Sequence, residues 1–264
     1  MTQPPIALTV AGSDSGGGAG LQADLKTFAS HGVFGTSVVT ALTAQNTVGV
    51  RGVSVTPADF VAAQLEAVLS DLPPKAVKTG MLASAETIAL LMGYDLPLLV
   101  VDPVLVATSG DVLFDGAAEY FALFGRAAVI TPNMSEAATL LKTRISTVDD
   151  MADAARELAK SGPECVVVKG GHLDGEAIDV VYHGGRITFL SAPRISTRNS
   201  HGTGCTFAAS VAAQLALGAS IPDALSHAKH YVTRALAASA GWRLGNGHGP
   251  LSWKEIENAP QGLR

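Results

Sequence analysis

The chain has 264 residues, a formal net charge of −5, 16% charged side chains and 47% hydrophobic ones; since about a quarter of an ordinary domain is charged, much of this chain is destined for burial. No cluster of Lys and Arg provides a field for nucleic acid or an anionic membrane, so any anion must be recognised locally. No apolar run suits a bilayer (residues 96–107 are broken by Asp102-Pro103), residues 1–5 lack a signal-peptide pattern, and Cys165 and Cys205 suit neither a disulfide framework nor a metal site, so the expectation is a soluble cytoplasmic protein.

Short apolar runs alternate with helical patterns from end to end. Residues 6–11 predict a buried strand, closed by the glycine-rich run 12–18 and followed by a helix over 21–31 with Gly32 as its stop. A strand over 37–43 follows, then a helix from Thr56-Pro57 to about residue 70 with Pro57 at its favoured first position. Residues 76–79 predict a strand, 84–92 a helix and 98–101 a strand ending in Asp102-Pro103. A strand over 127–130 ends in Thr131-Pro132-Asn133, with helices from about 134 and over 148–161. The strand 165–168 runs into Lys169-Gly170-Gly171-His172, and segments 177–182 and 186–190 flank His183-Gly184-Gly185 as an antiparallel hairpin. Helices over 205–217 and 221–240 precede a glycine-rich tail with a short amphipathic piece at 251–256. No repeat or linker divides the chain, so residues 1–264 form one expected domain.

Apolar strands separated by helices indicate a mostly parallel sheet covered on both faces. Polar residues cluster just past the strands: Ser13, Asp14, Gln45, Asn46, Asp102, Asn133, Glu136, Lys169 and the loop Gly202-Thr203-Gly204-Cys205. Ligands of open parallel sheets bind at the carboxyl ends of the strands, so these side chains belong to one crevice.

The run Asn199-Ser200-His201-Gly202-Thr203-Gly204-Cys205-Thr206 opens into an alanine-rich helical stretch. Glycines that turn the backbone, together with a helix N-terminus, favour an anion, phosphate above all. Such a terminus also lowers a thiol pKa, which suits chemistry at Cys205; the same run reads equally as a plain helix entry. The loop Gly16-Gly17-Gly18-Ala19-Gly20 lacks the Gly-Lys-Ser/Thr ending of a P-loop and an acidic residue after the next strand. It suits close approach to a flat small molecule better than a dinucleotide. Asp24 reads as a surface residue of an opening turn or as an acceptor for a ligand amine. The Gln45 amide suits a heteroaromatic edge or a backbone turn, and Met81 suits a ring face or core filling. Asn133 and Glu136 share a helix start, where they suit Mg²⁺ against a polyphosphate or a favourable first-turn charge. Lys169 suits a phosphate contact or a solvated surface.

Residues 11–24, 40–47, 78–82, 102–104, 131–133, 169–172 and 201–205 together resemble the bacterial hydroxymethylpyrimidine/phosphomethylpyrimidine kinases of thiamine biosynthesis, within the ribokinase-like superfamily. The resemblance spans about residues 6–240, in order. It implies a three-layer α/β/α sandwich, with a mostly parallel sheet and a late antiparallel hairpin. It implies ATP-dependent phosphorylation of 4-amino-5-hydroxymethyl-2-methylpyrimidine and then of its monophosphate. It further implies ATP and Mg²⁺ as cofactors, with a monovalent cation left open, and a homo-oligomer, a dimer foremost. Gln45 would bond the pyrimidine edge, Asp24 its exocyclic amine or ring nitrogen, and Met81 would cover the ring, with Gly12, Thr43 and Val106 completing that pocket. Gly202, Thr203 and Gly204 would form the anion hole, and Cys205 would stand where sugar kinases carry an aspartate base. Asp102, Asn133, Glu136, Lys169 and Thr203 would handle ATP and Mg²⁺, with Asp102 and Glu136 on the metal. The rival reading is a pyridoxal kinase; members with strong pyridoxal activity carry a cysteine in the loop after Asp-Pro-Val, and residues 105–110 contain none. A non-enzymatic sensor on the same fold would not need Lys169, Asn133, Glu136 and Cys205 together.

Overall fold

The computed structural model describes residues 3–106, 110, 113–114, 116–171, 173 and 175–254. Strict alternation within the strands builds two cores, one on each face of the sheet, because successive side chains point to opposite faces. In β1 (Ile6–Asp14), Leu8 and Val10 enter one core and Ala7 the other. In β4 (Ala76–Thr79), β5 (Val100–Val101) and β6 (Val129–Ile130), Val77, Val101 and Ile130 join the first core, while Ala76, Val100 and Val129 join the second. In β7 (Cys165–Lys169), Val166 and Val168 face one way, Cys165 and Val167 the other.

Among the described residues the sheet has nine strands in the order β3-β2-β1-β4-β5-β6-β7-β8-β9, where β2 is Phe34–Gln45, β3 Val50–Val55, β8 Ala177–His183 and β9 Arg186–Ala192. The six from β2 to β7 are parallel; β3 at one edge and β8 and β9 at the other are antiparallel. The first core packs against α2 (Ala58–Asp71), α3 (Ala85–Leu91), α4 (Tyr120–Phe124), α5 (Met134–Leu141) and α6 (Val148–Ala159). The second packs against α1 (Gly20–Ser30), α7 (Thr203–Ala216) and α8 (Ile221–Ser239). The expected three-layer α/β/α sandwich therefore forms, with its late hairpin. Alanines 208, 209, 212 and 213 of α7 are wholly buried, and their small size lets the helix lie close to its neighbours.

Several boundaries differ from expectation. Pro57 is the N-cap of α2 rather than its first residue, with ψ 141° keeping it extended. The hairpin turns on Gly184 and Gly185 alone, at φ 57° and 77°, leaving His183 in the strand; two left-handed residues match the twist of the flanking strands. Strand β3 and helix α4 were not expected from the pattern. Residues 251–254 are not helical, and the remainder of the expected piece at 251–256 lies outside the described residues, as do residues 107–109 of the loop that lacks cysteine and His172. Among the described residues no helix is long and apolar enough to cross a membrane.

Candidate active site

A cavity of about 480 Å³ opens along the carboxyl ends of the parallel strands. It reaches from Thr43 and Gln45 at β2 to Asp179 at β8, so it crosses nearly the whole sheet. The chain reverses into it after β1 through the glycine-rich loop, and Asp14 organises that loop. Its Oδ1 accepts the Gly16 N–H at 2.7 Å, and its Oδ2 accepts those of Gly18 and Ala19 at 3.0 and 2.9 Å. His201 Nε2 lies 2.8 Å from the same Oδ2. Burial opposes the Asp14 charge, but the His201 hydrogen bond and the backbone N–H groups outweigh it and hold the carboxyl below its usual range. At Gly20, φ is +54° and a Cβ would stand 2.4 Å from the Gly12 carbonyl oxygen, so this return demands glycine.

At the β2 end, Gly12, Thr43, Gln45, Met81 and the half-exposed Val106 all line the cavity. Thr43 Oγ1 donates to the Ser13 carbonyl at 2.9 Å and lies 3.0 Å from Gln45 Oε1. Met81 is nearly buried, and its Sδ would lie 3.1 Å from a Cβ at position 12, so Gly12 leaves room for the thioether.

Asp24 corrects the sequence reading. It is neither on the surface nor in the cavity wall, but wholly buried behind it. Its Oδ2 pairs with Lys78 Nζ at 2.9 Å and accepts Thr9 Oγ1 at 2.6 Å. The periodicity of α1 points this carboxylate at the sheet, where Lys78 of β4 meets it. Lys78, which does line the cavity, stays charged: burial opposes its charge most strongly, but Asp24, Cys205 and Asp102 together outweigh it. A lysine inside an otherwise apolar strand was the available sequence signal for this pair.

Against the glycine-rich loop, in the middle of the site, α7 begins. Gly202 is its N-cap at φ 83°, with no side-chain cap; the Thr203 N–H and Oγ1 both turn back to the Ser200 carbonyl, at 3.3 and 2.7 Å, so the Gly204 and Cys205 N–H groups are the ones left to face the cavity. A Cβ at Gly204 would lie 3.0 Å from Lys169 Nζ and 3.8 Å from Asp102 Oδ2, so cation, carboxylate and helix terminus converge on one spot. Lys169 Nζ is 2.8 Å from Asp102 Oδ1, which also accepts Thr131 Oγ1 at 3.0 Å. Burial opposes the Lys169 charge, yet Asp102 and Glu136 raise its pKa above the ordinary lysine value.

Asn133 and Glu136 both line the cavity, but they also spend atoms on each other in a reciprocal capping box. Asn133 Oδ1 accepts the Glu136 N–H at 2.9 Å, and Glu136 Oε2 accepts the Asn133 N–H at 2.7 Å. This narrows the sequence expectation that both side chains are given to ligand. Burial, with Asp102 nearby, pushes Glu136 up to about 7 against the pull of Lys169.

The thiol of Cys205 contradicts the lowering expected at a helix N-terminus. Burial pushes it up to about 11; Lys78 and the Gly20 N–H pull it down, while Asp24 and Asp102 work the other way. The helix terminus is outweighed because the sulfur is desolvated between two carboxylates as well as one ammonium.

Sequence reasoning also assigned no role to the far wing. There Asp179 accepts the Gly170 N–H at 3.0 Å and pairs with Lys229 of α8 at 2.8 Å, and Ile195, Val232 and Leu236 form an apolar wall.

The profile of the phosphomethylpyrimidine kinase family matches residues 14–252. A hydroxymethylpyrimidine/phosphomethylpyrimidine kinase of Rhizobium meliloti is 48% identical over 263 residues, covering 95% of this chain and 99% of that protein. A thiamine biosynthesis bifunctional protein of Geobacter sulfurreducens is 49% identical over 253 residues, 93% of this chain; the chain spans only about half, 51%, of that relative's length. Among solved structures, the ADP complex of Bacillus subtilis pyridoxal kinase superposes with a TM-score of 0.89 at 36% identity, covering 97% of this chain and 100% of that one. A phosphomethylpyrimidine kinase from Clostridium difficile 630 gives 0.77 at 40% identity, covering 88% and 99%. With its profile matched across nearly the whole sheet and a relative of equal length at near-half identity, this chain belongs to the phosphomethylpyrimidine kinase family.

Proposed function

We propose that this chain is an ATP-dependent kinase that phosphorylates 4-amino-5-hydroxymethyl-2-methylpyrimidine and then its monophosphate, with residues 1–264 acting as one kinase domain. The observation that carries the reading is the convergence of Lys169, Asp102 and the α7 N-terminus on one spot of a cavity that continues to an amide and a thioether at Gln45 and Met81. In this reading Gln45 bonds the pyrimidine edge, Met81 packs on the ring, and Gly12, Thr43 and Val106 complete the pocket. The apolar wall of Ile195, Val232 and Leu236 accepts the adenine, and the Gly204 and Cys205 N–H groups with Lys169 hold the phosphates, while Thr203, expected there from the sequence, spends both its donors on the Ser200 carbonyl.

The transferred phosphoryl group forms a bond to the hydroxymethyl oxygen while its bond to the bridging oxygen of ADP breaks. Such a transition state is loose, so positioning and charge stabilisation dominate and the hydroxyl proton leaves late. Cys205 stands beside the anion hole, and its minor thiolate form, whose own proton has gone to solvent, receives that hydroxyl proton. Asp102 and Glu136 fit Mg²⁺, which is commonly held by one or two carboxylates with substrate phosphates completing its shell. The ion, when bound, would neutralise phosphate charge.

Pyridoxal is kept as a second acceptor on one specific ground: the superposition on a pyridoxal kinase at a TM-score of 0.89. ATP consumption measured with the pyrimidine, with pyridoxal and with neither separates the readings. Turnover favouring the pyrimidine supports the proposal, turnover favouring pyridoxal replaces it, and none with either removes both. We further read the chain as a cytoplasmic homodimer. The free cysteines support the compartment. The exposed apolar side chains Val53 and Val55, which share one face of the edge strand β3, support the dimer.

A further inference from the structure

We propose that Asp14 and His201 form a clasp coupling the glycine loop of the acceptor site to the anion hole, so that both are positioning residues for phosphoryl transfer. The inference rests on the reading above for the identity of the acceptor, and on geometry for the clasp itself.

Asp14 is the centre about which the first loop is wound, since its carboxylate receives three backbone N–H groups from Gly16, Gly18 and Ala19. The same Oδ2 meets His201 Nε2 at 2.8 Å, across 187 positions of sequence. With Asp14 held in its ionised form, the imidazole is the donor in this bond. His201 immediately precedes Gly202, the N-cap of the helix whose first residues line the cavity. Both side chains are nearly buried, with 8% and 3% of their surfaces exposed, so the bond is shielded from water.

The two loops are also fitted backbone to backbone. A Cβ at Gly202 would stand 1.9 Å from the Gly18 carbonyl oxygen, and a Cβ at Gly18 would stand 2.4 Å from His201 Cδ2. The Gly20 N–H reaches the Cys205 thiol. Movement of one loop must therefore carry the other. The Asp14–His201 bond is the charged link in that contact, and it touches neither the phosphates nor the ring in the proposed mode of binding. Its role is to set where the Gly204 and Cys205 N–H groups stand when the acceptor loop is closed.

The test measures coupling between ligands. Calorimetric titration of the pyrimidine alcohol is run with and without AMP-PNP on the full-length wild type, His201→Ala, His201→Gln and Asp14→Asn. In wild type, AMP-PNP should tighten pyrimidine binding by about fivefold or more. In His201→Ala and Asp14→Asn the ratio should fall to about one, with kcat reduced more than KM is raised. His201→Gln, whose amide N–H can reach the carboxylate, should recover most of the coupling. Thermal melts confirm folding, and His201→Phe replaces the alanine variant if that variant does not fold. Coupling retained without the donor, or absent in wild type, overturns the clasp. If wild type binds no pyrimidine, the substrate reading falls instead. Hydrogen exchange then decides the clasp: AMP-PNP should protect the amides of residues 12–19 in wild type but not in His201→Ala, and equal protection overturns it.

Discussion

Cys205 displays how a residue's neighbours can reverse a local rule. A helix N-terminus alone lowers a thiol pKa, yet here burial carries the group up to about 11. At neutral pH the thiol form dominates, with a thiolate fraction on the order of 10⁻⁴ at pH 7. If the thiolate takes the hydroxyl proton, kcat should climb about tenfold per pH unit between 7 and 9, because each unit raises the thiolate fraction tenfold. Cys205→Ala should lose roughly 10²–10⁴-fold in kcat with little change in pyrimidine affinity, and Cys205→Asp should retain more activity than Cys205→Ala. Steady-state kinetics across pH, with binding followed separately, checks all three; a wild-type-like alanine variant would return Cys205 to packing. Lys169 belongs to the same scale. It is held charged by Asp102 and Glu136 at the start of α7, where negative charge redistributes during transfer. Lys169→Ala should therefore lower kcat far more than it raises KM for the pyrimidine, read at saturating Mg-ATP. An unchanged kcat would count against the phosphate role.

Elements were legible in proportion to how strongly their own residues are patterned. Strand β4 and helix α7 follow from their apolar runs, and Ser84 capping Thr87 marks the start of α3 as expected. Strand β3 was missed because Val50–Val55 is largely exposed at a sheet edge and contains Gly52, leaving no buried run to detect. Helix α4 was missed because one and a half turns are too short for a helical period to register. At α5 the spacing of Asn133 and Glu136 was visible, but not that the two would bind each other's backbone N–H groups. The capping box predicts that Asn133→Ala destabilises the fold by about 1 kcal/mol, a fall of about 2 °C in Tm for a chain of this size, whereas Asn133→Asp retains the cap. Calorimetric melting decides between them, and equal losses for both variants would argue against the cap.

At the scale of the whole molecule, the end of the sheet away from the cavity carries its own titration. His31, at the C-terminus of α1, receives Gln214 Nε2 on Nδ1 at 3.2 Å and has Nε2 2.9 Å from Ser210 Oγ, with its ring against Tyr231. Burial, helped by His227, pushes it down from 6.5 to about 4. The unfolded chain therefore takes up this proton first as pH falls. The stability contribution is complete above pH 6.5 and is lost progressively toward pH 4. Urea denaturation across that window should give a smaller pH slope for His31→Gln than for wild type, with activity at pH 7 unchanged; identical slopes would refute the assignment. The exposed edge formed by β2 and β3 makes a second prediction. Val53→Glu with Val55→Glu should convert a dimer to a monomer, read by light scattering, with the monomer's fold intact because both side chains are exposed in the chain alone.

The sequence by itself determined the layered parallel sheet, the gathering of polar residues at its carboxyl ends, and the motifs that carry the family. Each of these depends on local periodicity or on short runs read in order. Only the tertiary structure decided which side chains meet: Lys78 with Asp24 across 54 positions, Lys169 with Asp102 across 67, and His201 with Asp14 across 187. Those pairings placed Asp24 behind the cavity wall rather than at the ligand, and left Cys205 a thiol. The physical reason is that burial and the charge of neighbours govern both an ion pair and a pKa, and neither quantity exists until distant segments have packed.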